Sequence, residues 1–109
     1  MDPTKTNKPM TNGIYVVGVI VSNRAKAFQR KDGSGVSVVV EHEVALQPGV
    51  AVWQRYLDPK KDAGVRVEGE NVVEFPRMKE FATVTIKAAG LRKDEHTGQV
   101  VIKGGELIA

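Results

Sequence analysis

A row of cations that includes one aromatic ring is the part of this sequence with the clearest capacity for chemistry. Arg24, Lys26, Phe28 and Arg30 alternate along the chain, and Lys31 follows. Because successive side chains of an extended chain point to opposite faces, the alternating residues share one face of a strand. Cations pair with phosphates and an exposed ring stacks on bases, so this face favours a single-stranded nucleic acid as its partner.

A β-hairpin is needed to position this row, and the surrounding sequence predicts one. Segments 28–31 and 36–46 are patterned as strands, and they flank the turn sequence Asp-Gly-Ser-Gly at 32–35. We therefore predict a finger formed by residues 24–31, this turn and the start of segment 36–46. The valines at even positions of that segment share a face with His42, which is expected to be buried with one hydrogen-bond partner rather than catalytic or metal-binding.

A third strand at 50–57 follows the turn at 47–49, for which Pro and Gly predict type II geometry. Trp53 and Arg55 share one face of this strand, beside the second strand, where OB-type barrels display their ligand surface. The functional interpretation is a base stacked on Trp53 and a phosphate paired with Arg55. Burial of Trp53 in the core is the equally weighted alternative, because lone tryptophans are usually highly buried.

A basic loop and the other rings complete the set of candidates. Lys60 and Lys61 lie in segment 58–70, which we expect to be a long loop with a short extended piece at 65–67 and a binding role. Tyr15, at the start of the first strand, is expected to stack on a base or to cap one end of the barrel. The remaining rings are assigned to the core, and they are Tyr56 (with its hydroxyl at the rim), Phe75 and Phe81.

The pattern of strands predicts an all-β domain. Strands are expected at 14–24, 36–46, 50–57, 82–91 and 99–103, with Gly18 as a bend or bulge in the first and a short helical turn at 76–81. This order favours a five-stranded OB-type Greek-key barrel with a protruding β-hairpin, and a generic small barrel or sandwich is the alternative. Residues 1–12 are predicted to be a flexible N-terminal arm and residues 13–109 the OB-fold domain.

Composition excludes several classes of function. The chain has 109 residues, enough for one domain, and a net charge of +3. It contains no cysteine, and His42 and His96 belong to no ligand motif, so no metal or cofactor is expected. Without a nucleophile elbow or a phosphate-cradling glycine loop, we expect no enzyme and no small-molecule substrate. Without a signal peptide or a bilayer-length apolar run, we expect a cytoplasmic protein with no membrane contact.

Several stretches of the sequence are similar to one family. They are Gly-Ile-Tyr-Val-Val-Gly-Val-Ile-Val near the start, the basic finger, Phe-Pro-Arg-Met-Lys-Glu-Phe before a Val-Thr-Ile strand, and the closing Gly-Gly-Glu-Leu-Ile. Across most of 13–109 they resemble phage and plasmid single-stranded DNA-binding proteins of the small filamentous-phage helix-destabilising type. The resemblance implies an OB-fold, a homodimer, a phage or plasmid origin and cooperative coating of single-stranded DNA with little sequence preference. By position it places the DNA contacts at Arg24, Lys26, Phe28, Arg30, Lys31, Trp53 and Arg55.

Binding of single-stranded DNA through phosphate contacts and base stacking is therefore the leading hypothesis. Its predicted nucleic-acid-binding residues are Arg24, Lys26, Phe28, Arg30, Lys31, Trp53, Arg55, Tyr15, Lys60 and Lys61. The alternative is an OB-like protein-interaction or assembly module without nucleic-acid binding, in which the finger is buried at a subunit interface. RNA stays open as the ligand, because base stacking does not distinguish the sugars.

Overall fold

The computed structural model describes residues 12–109, and within that range it contains β-strands and no helix. In chain order the strands are β1 (Ile14–Gln29), β2 (Val36–Ala45), β3 (Val50–Leu57), β4 (Arg66–Glu68), β5 (Asn71–Glu74), β6 (Thr83–Ala88), β7 (Gly90–Lys93), β8 (Val100–Lys103) and β9 (Glu106–Leu107). The prediction of an all-β chain is confirmed. The predicted arm, residues 1–12, lies outside the described residues apart from Asn12, which is exposed. The described part of the chain has no helix that could cross a membrane.

One curled sheet of seven strands, in the order β7-β8-β3-β2-β1-β6-β9, makes up most of the molecule. Neighbouring strands are antiparallel except β3 and β8, which are parallel, so the sheet is mixed. The chain itself links the two sides of the sheet: β6 pairs with β1, β7 pairs with β8, and only Ala89 separates β6 from β7. The sheet therefore curls into a half-barrel, and β4 and β5 form a separate two-stranded sheet.

A β-bulge at Val21 divides β1 into two halves whose side chains alternate in opposite phase. In the first half the even-numbered Gly18 and Ile20 are buried. The register with β2 shifts between Ile20 and Ser22, so Val21 has no partner of its own. Beyond the shift, odd positions are the partly buried ones, and even positions from 24 to 28 are exposed.

The bulge is not at Gly18, where the sequence predicted a bend or bulge. Gly18 keeps a regular register with Val84 in β6. A Cβ at this position would lie 2.5 Å from the carbonyl oxygen of Ala45 and 2.5 Å from a side-chain carbon of Val44. Glycine is therefore required here by the close approach of β2, not by a bend in β1.

Two hydrophobic clusters fill the inner side of the sheet. The buried members of the larger cluster, under the first half of β1, are Ile20, Val44, Ala51, Trp53, Val84, Ile86 and Ile102. The buried members of the smaller cluster, under the finger, are Val38, Val40 and Val65. Ala25 and Ala27 of the finger pack on this smaller cluster together with Val67 and Val72 of the β4–β5 hairpin. The finger is therefore a hairpin whose underside is covered by the β4–β5 hairpin.

A buried polar network lies between the two clusters. His42 is fully buried, its Nε2 accepts a hydrogen bond from Arg55 at 2.7 Å, and its Nδ1 donates one to Oδ1 of Asn23 at 2.7 Å. The side chain of Asn23 also accepts from the backbone N–H of Met78 at 2.8 Å and donates to its carbonyl at 2.9 Å. The guanidinium of Arg55 lies over the ring of Trp53, 4.8 Å from its centroid. The predicted burial of His42 is confirmed, with two hydrogen-bond partners in place of one.

The network holds His42 in its neutral form. Burial, and after it the charge of Arg55, lowers the pKa of His42 from 6.5 to about 4. Burial also lowers the pKa of Arg55 from its ordinary value. Within residues 12–109 the Nε of Arg55 has no hydrogen-bond partner, and no carboxylate forms an ion pair with this guanidinium.

Several local predictions are corrected by the structure. Residues 76–81 are not helical, because the chain there pairs with the bulged part of β1: the N–H of Phe81 donates to the carbonyl of Ile20 at 2.7 Å. Phe81 was assigned to the core, but it is 77% exposed and has a φ of 67°. The Gln47–Pro48 peptide bond is cis, so that turn is not of type II. The short extended piece expected at 65–67 within segment 58–70 is present as β4, displaced by one residue.

The free energy of unfolding should depend on pH through His42. The folded chain binds a proton on this ring less readily than the unfolded chain. Stability should therefore be complete above pH 6.5 and should fall as the pH drops toward about 4, by roughly 3 kcal/mol in all. Urea unfolding at several pH values across this window measures how the free energy of unfolding changes with pH.

The matched control for this prediction is the other histidine. His42→Gln should remove the part of this pH dependence that comes from His42, whereas the same substitution at the exposed His96 should keep that part. If His42→Gln does not fold, an NMR titration of the wild-type His42 ring replaces it. Protonation of that ring near pH 6.5 in the folded protein would contradict the prediction.

Candidate nucleic-acid interface

The outer side of the finger is a three-stranded face, and the register of the strands decides which residues belong to it. Lys26 of β1 lies opposite Val39 of β2, and Val39 lies opposite Tyr56 of β3. Directly opposed residues project from the same side of a sheet, so this row faces outward with its neighbours two positions along each strand. We call this surface the finger face, and its members are Arg24, Lys26, Phe28, Ser37, Val39, Glu41, Gln54 and Tyr56.

Two aromatic rings are exposed on the finger face and contact each other. Phe28 is 38% exposed and Tyr56 is 62% exposed. Their ring centroids lie 6.0 Å apart and their planes meet at 85°, which is an edge-to-face pair. Phe28 lies on the cationic face as expected. The assignment of Tyr56 to the core is wrong, because this part of β3 turns its even positions outward.

The cations of the finger differ in how far they are neutralised. The Nε of Arg24 pairs with Glu41 at 2.7 Å, although the Arg24 side chain stays 56% exposed. The guanidinium of Arg30 pairs with Asp58 at 3.1 Å. Across the described range, Lys26 and Lys31 form no ion pair. Unpaired positive charge on the finger is therefore carried by its lysines.

The two carboxylates in these ion pairs are charged at neutral pH. Partial burial raises the pKa of Glu41, but hydrogen bonds from Gln54, at 2.8 Å, and from Arg24 outweigh it, so the pKa lies below its ordinary value. The pKa of Asp58 is lowered first by the backbone N–H of Lys60 and then, against an opposing effect of desolvation, by Arg30. Both ion pairs therefore persist at the pH of a binding experiment.

Arg30 orders the tip of the finger, a role that the sequence did not suggest. Its guanidinium donates to the hydroxyl of Ser37 at 2.7 Å and to that of Ser34 at 3.3 Å. Oδ1 of Asp32 accepts a hydrogen bond from the N–H of Ser34 at 2.9 Å. Because Arg30 also pairs with Asp58, it fastens the finger tip to the loop after β3. Few of its donors are left for a phosphate.

Trp53 and Arg55 do not belong to the finger face. The ring of Trp53 is 2% exposed, and its Nε1 donates to the carbonyl of Gly104 at 2.8 Å. Arg55 lies on the same inner side, half-buried between Trp53 and His42. The core alternative for Trp53 is therefore correct. The structure corrects the predictions that Trp53 stacks on a base and that Arg55 pairs with a phosphate, because β3 turns the face that carries both side chains toward the core.

The remaining candidates are divided between two regions of the molecule. Lys60 and Lys61 are exposed in the loop after β3, which the ion pair of Arg30 holds against the finger tip. Tyr15 lies on the first half of β1, opposite Lys87 of β6, whose Nζ is 6.0 Å from the ring centroid. The structure thus brings Lys60 and Lys61 to the finger and leaves Tyr15 on the other side of the bulge.

A cleft of about 300 Å³ opens along the edge of β1, next to Phe28. This edge is accessible because β6 pairs with β1 only as far as Val19. The cleft lies between the finger and the turn of the β4–β5 hairpin, and its lining residues are Lys26, Ala27, Phe28, Gln29, Val36, Gly69 and Glu70. No pattern in the sequence indicates this cleft, because Gly69 and Glu70 belong to no motif and lie far along the chain from the finger.

Comparison of the chain with protein-family models, with curated proteins and with solved structures finds no match. In residues 12–109 no group of histidine, aspartate and glutamate side chains is arranged to hold a metal ion. What the finger face offers is an open surface with two rings, a neighbouring cleft and several lysines. Such a surface is suited to a ligand that has flat parts and negative charges.

Truncation of the two kinds of ring should affect stability very differently. Tyr56→Ala removes an exposed ring whose edge-to-face contact is worth about 1 kcal/mol, so the free energy of unfolding should fall by no more than that. Trp53→Ala empties the core and should cost about 3–5 kcal/mol. Urea unfolding of both variants measures the difference. Equal losses would contradict the exposure of Tyr56.

Proposed function

We propose that this protein binds single-stranded DNA on the finger face, by stacking bases on Phe28 and Tyr56 and pairing phosphates with nearby lysines. The observation that carries this proposal is the exposed ring pair on a cationic, three-stranded surface. Aromatic rings stabilise a fold most when they are buried. Two exposed rings in contact on one face are therefore typical of a binding surface. Nucleobases are flat, and the sugar-phosphate backbone joins each of them to a negative charge.

The geometry of the ring pair leaves room for a base. In an edge-to-face pair the edge of one ring meets the face of the other, so at least one ring keeps a face for a ligand. A stacked base contributes about 1–3 kcal/mol and requires no particular sequence. Two rings in contact therefore support binding of adjacent bases with little sequence preference.

Phosphate contacts are assigned to Lys26, Lys31, Lys60 and Lys61. Lys26 and Phe28 are neighbours on one face of β1, about 7 Å apart along the strand. A base stacked on Phe28 therefore places its backbone close to an unpaired ammonium group. Arg24 contributes in part, because a guanidinium has five N–H donors and Glu41 occupies only some of them.

The proposal extends to the fold and to the assembly. In it, β1, β2, β3, the pair β6 and β7, and β8 are the strands of an OB-type Greek-key barrel. The finger face then belongs to the strand 2–3 surface on which such barrels bind oligonucleotides. The pairing of β6 with β1, of β7 with β8 and of β3 with β8 supports this assignment. The resemblance to phage and plasmid single-strand binders adds a homodimer that coats DNA cooperatively.

A second candidate, a protein-interaction module, is favoured by apolar exposure elsewhere. Val17 is 60% exposed on the first half of β1, and Phe81 is 77% exposed where the chain meets the bulge. Neither belongs to the finger face. In this candidate these residues contact another protein and DNA affinity is absent.

Binding should depend on salt in the way that phosphate neutralisation requires. A labelled oligothymidine of about 12 nucleotides should bind at low salt, and the logarithm of the association constant should fall by roughly 0.7 per phosphate contact for each tenfold rise in salt. Lys26→Ala should reduce this slope by about 0.7. Lys79→Ala removes the same charge from the segment between β5 and β6 and should leave the slope unchanged. Absence of binding at low salt, or equal binding of duplex DNA, would refute the proposal.

Truncation of the exposed rings should weaken binding without changing its salt dependence. Phe28→Ala and Tyr56→Ala should each lower the affinity for the same oligothymidine by about 5- to 150-fold, which corresponds to one lost stacking contact. The slope should stay that of the wild type, because no charge is removed. Phe81→Ala is the matched control, since it removes a more exposed ring outside the finger face. A loss confined to Phe81→Ala would move the binding surface away from the finger.

A further inference from the structure

We infer that the cleft beside Phe28 is a subsite for one nucleobase and that it prefers bases with an exocyclic amino group, such as cytosine and adenine. The inference rests on the proposed function and adds a base preference at one position of the bound strand. The cleft borders the finger face, because Lys26 and Phe28 belong to both. A strand stacked on the rings therefore passes its entrance.

The size and walls of the cleft suit a flat heterocycle. Its volume of about 300 Å³ lies at the lower end for small-ligand sites. Ala27, Phe28 and Val36 give it apolar walls on the finger side. On the other side Gly69, with a φ of 64°, has no side chain, and its peptide backbone borders the cleft. Apolar walls around a planar space stabilise a base by stacking and by removing its faces from water.

The polar lining gives this space a chemical preference. Glu70 lines the cleft, and the oxygens of a carboxylate only accept hydrogen bonds. The amino group of cytosine or adenine donates hydrogen bonds, and pairing of a glutamate with the cytosine amino group is an established mode of base recognition. The carbonyl oxygen of thymine or uracil at the corresponding position is an acceptor and is repelled. Gln29 both donates and accepts, so it is compatible with either type.

The position of Glu70 is informative because a carboxylate on a DNA-binding surface normally opposes binding. Glu70 is exposed and forms no ion pair within residues 12–109, although Lys26 lines the same cleft. If it acted only through its charge, it would weaken binding of every sequence by the same factor. A hydrogen bond to the base would make its effect depend on the base. These two effects are separable by experiment.

Oligonucleotides of cytosine and of uracil make the sharpest pair of probes. Deoxycytidine and deoxyuridine 12-mers carry the same charge and differ at the amino group and the adjacent ring nitrogen. At about pH 8 and low salt, the wild type should bind the cytidine oligomer roughly fivefold more tightly, as expected for one recognised base. In Glu70→Gln the ratio should fall toward one, because the amide also donates to the uracil carbonyl and so strengthens uridine binding.

The control variant is Glu74→Gln, which makes the same charge change on β5, outside the cleft lining. It should change the affinity for both oligomers equally and keep their ratio. The inference is overturned if Glu70→Gln also shifts both affinities by one common factor. In that case the wild type still binds both oligomers, and the proposed function stands. If the wild type binds neither oligomer, the proposed function itself is refuted.

Discussion

The register shift at Val21 is the constraint on which the candidate site depends. Before it, β1 turns its even positions toward the larger cluster, and after it the odd positions face inward. An uninterrupted strand would place Lys26 and Phe28 on the inner side, against the valines of β2. Both would then be buried, and a buried ammonium without a partner is strongly unfavourable. Because of this one additional residue, the first half of β1 packs on the core and the second half carries an exposed cationic face.

The buried network connects the base of the finger to the segment that precedes β6. His42 and Asn23 lie just beyond the bulge, and Asn23 holds the backbone of Met78 in the segment that leads to β6. Below the finger, the β4–β5 hairpin closes the smaller cluster. The ring pair therefore lies on a surface that is packed against the smaller cluster underneath. A ligand that stacks on it orders few side chains or backbone segments, which limits the entropic cost of binding.

Much of this arrangement follows from local patterns, and the parts that do not follow have identifiable causes. The alternation of segment 36–46 predicted the inward face of β2 and the burial of His42 correctly, because period-two patterning is local. The turn at 47–49 then pairs His42 with Trp53, which places that ring in the core and Tyr56 outside. The analogy with OB-type barrels predicts the ligand surface on the face of β3 that carries Trp53 and Arg55, and in the structure that face is the inner one. No pattern in the sequence predicts the bulge, since Val21 ends a run of apolar residues that is compatible with either face of β1.

The distribution of charge shifts the expected balance of affinity from phosphates toward bases. The sequence suggests a continuous cationic row, but the structure pairs Arg24 with Glu41 and uses Arg30 to order the finger tip. A phosphate that approaches Arg24 meets a charge already partly compensated by a carboxylate, and exposed ion pairs of this kind contribute little energy of their own. Under the proposed function, fewer phosphates are then neutralised, and the expected salt dependence is shallower than a count of the basic residues suggests. The proposed affinity then depends in larger part on the rings, which makes the exposure of Phe28 and Tyr56 the more decisive property of this surface for the proposal.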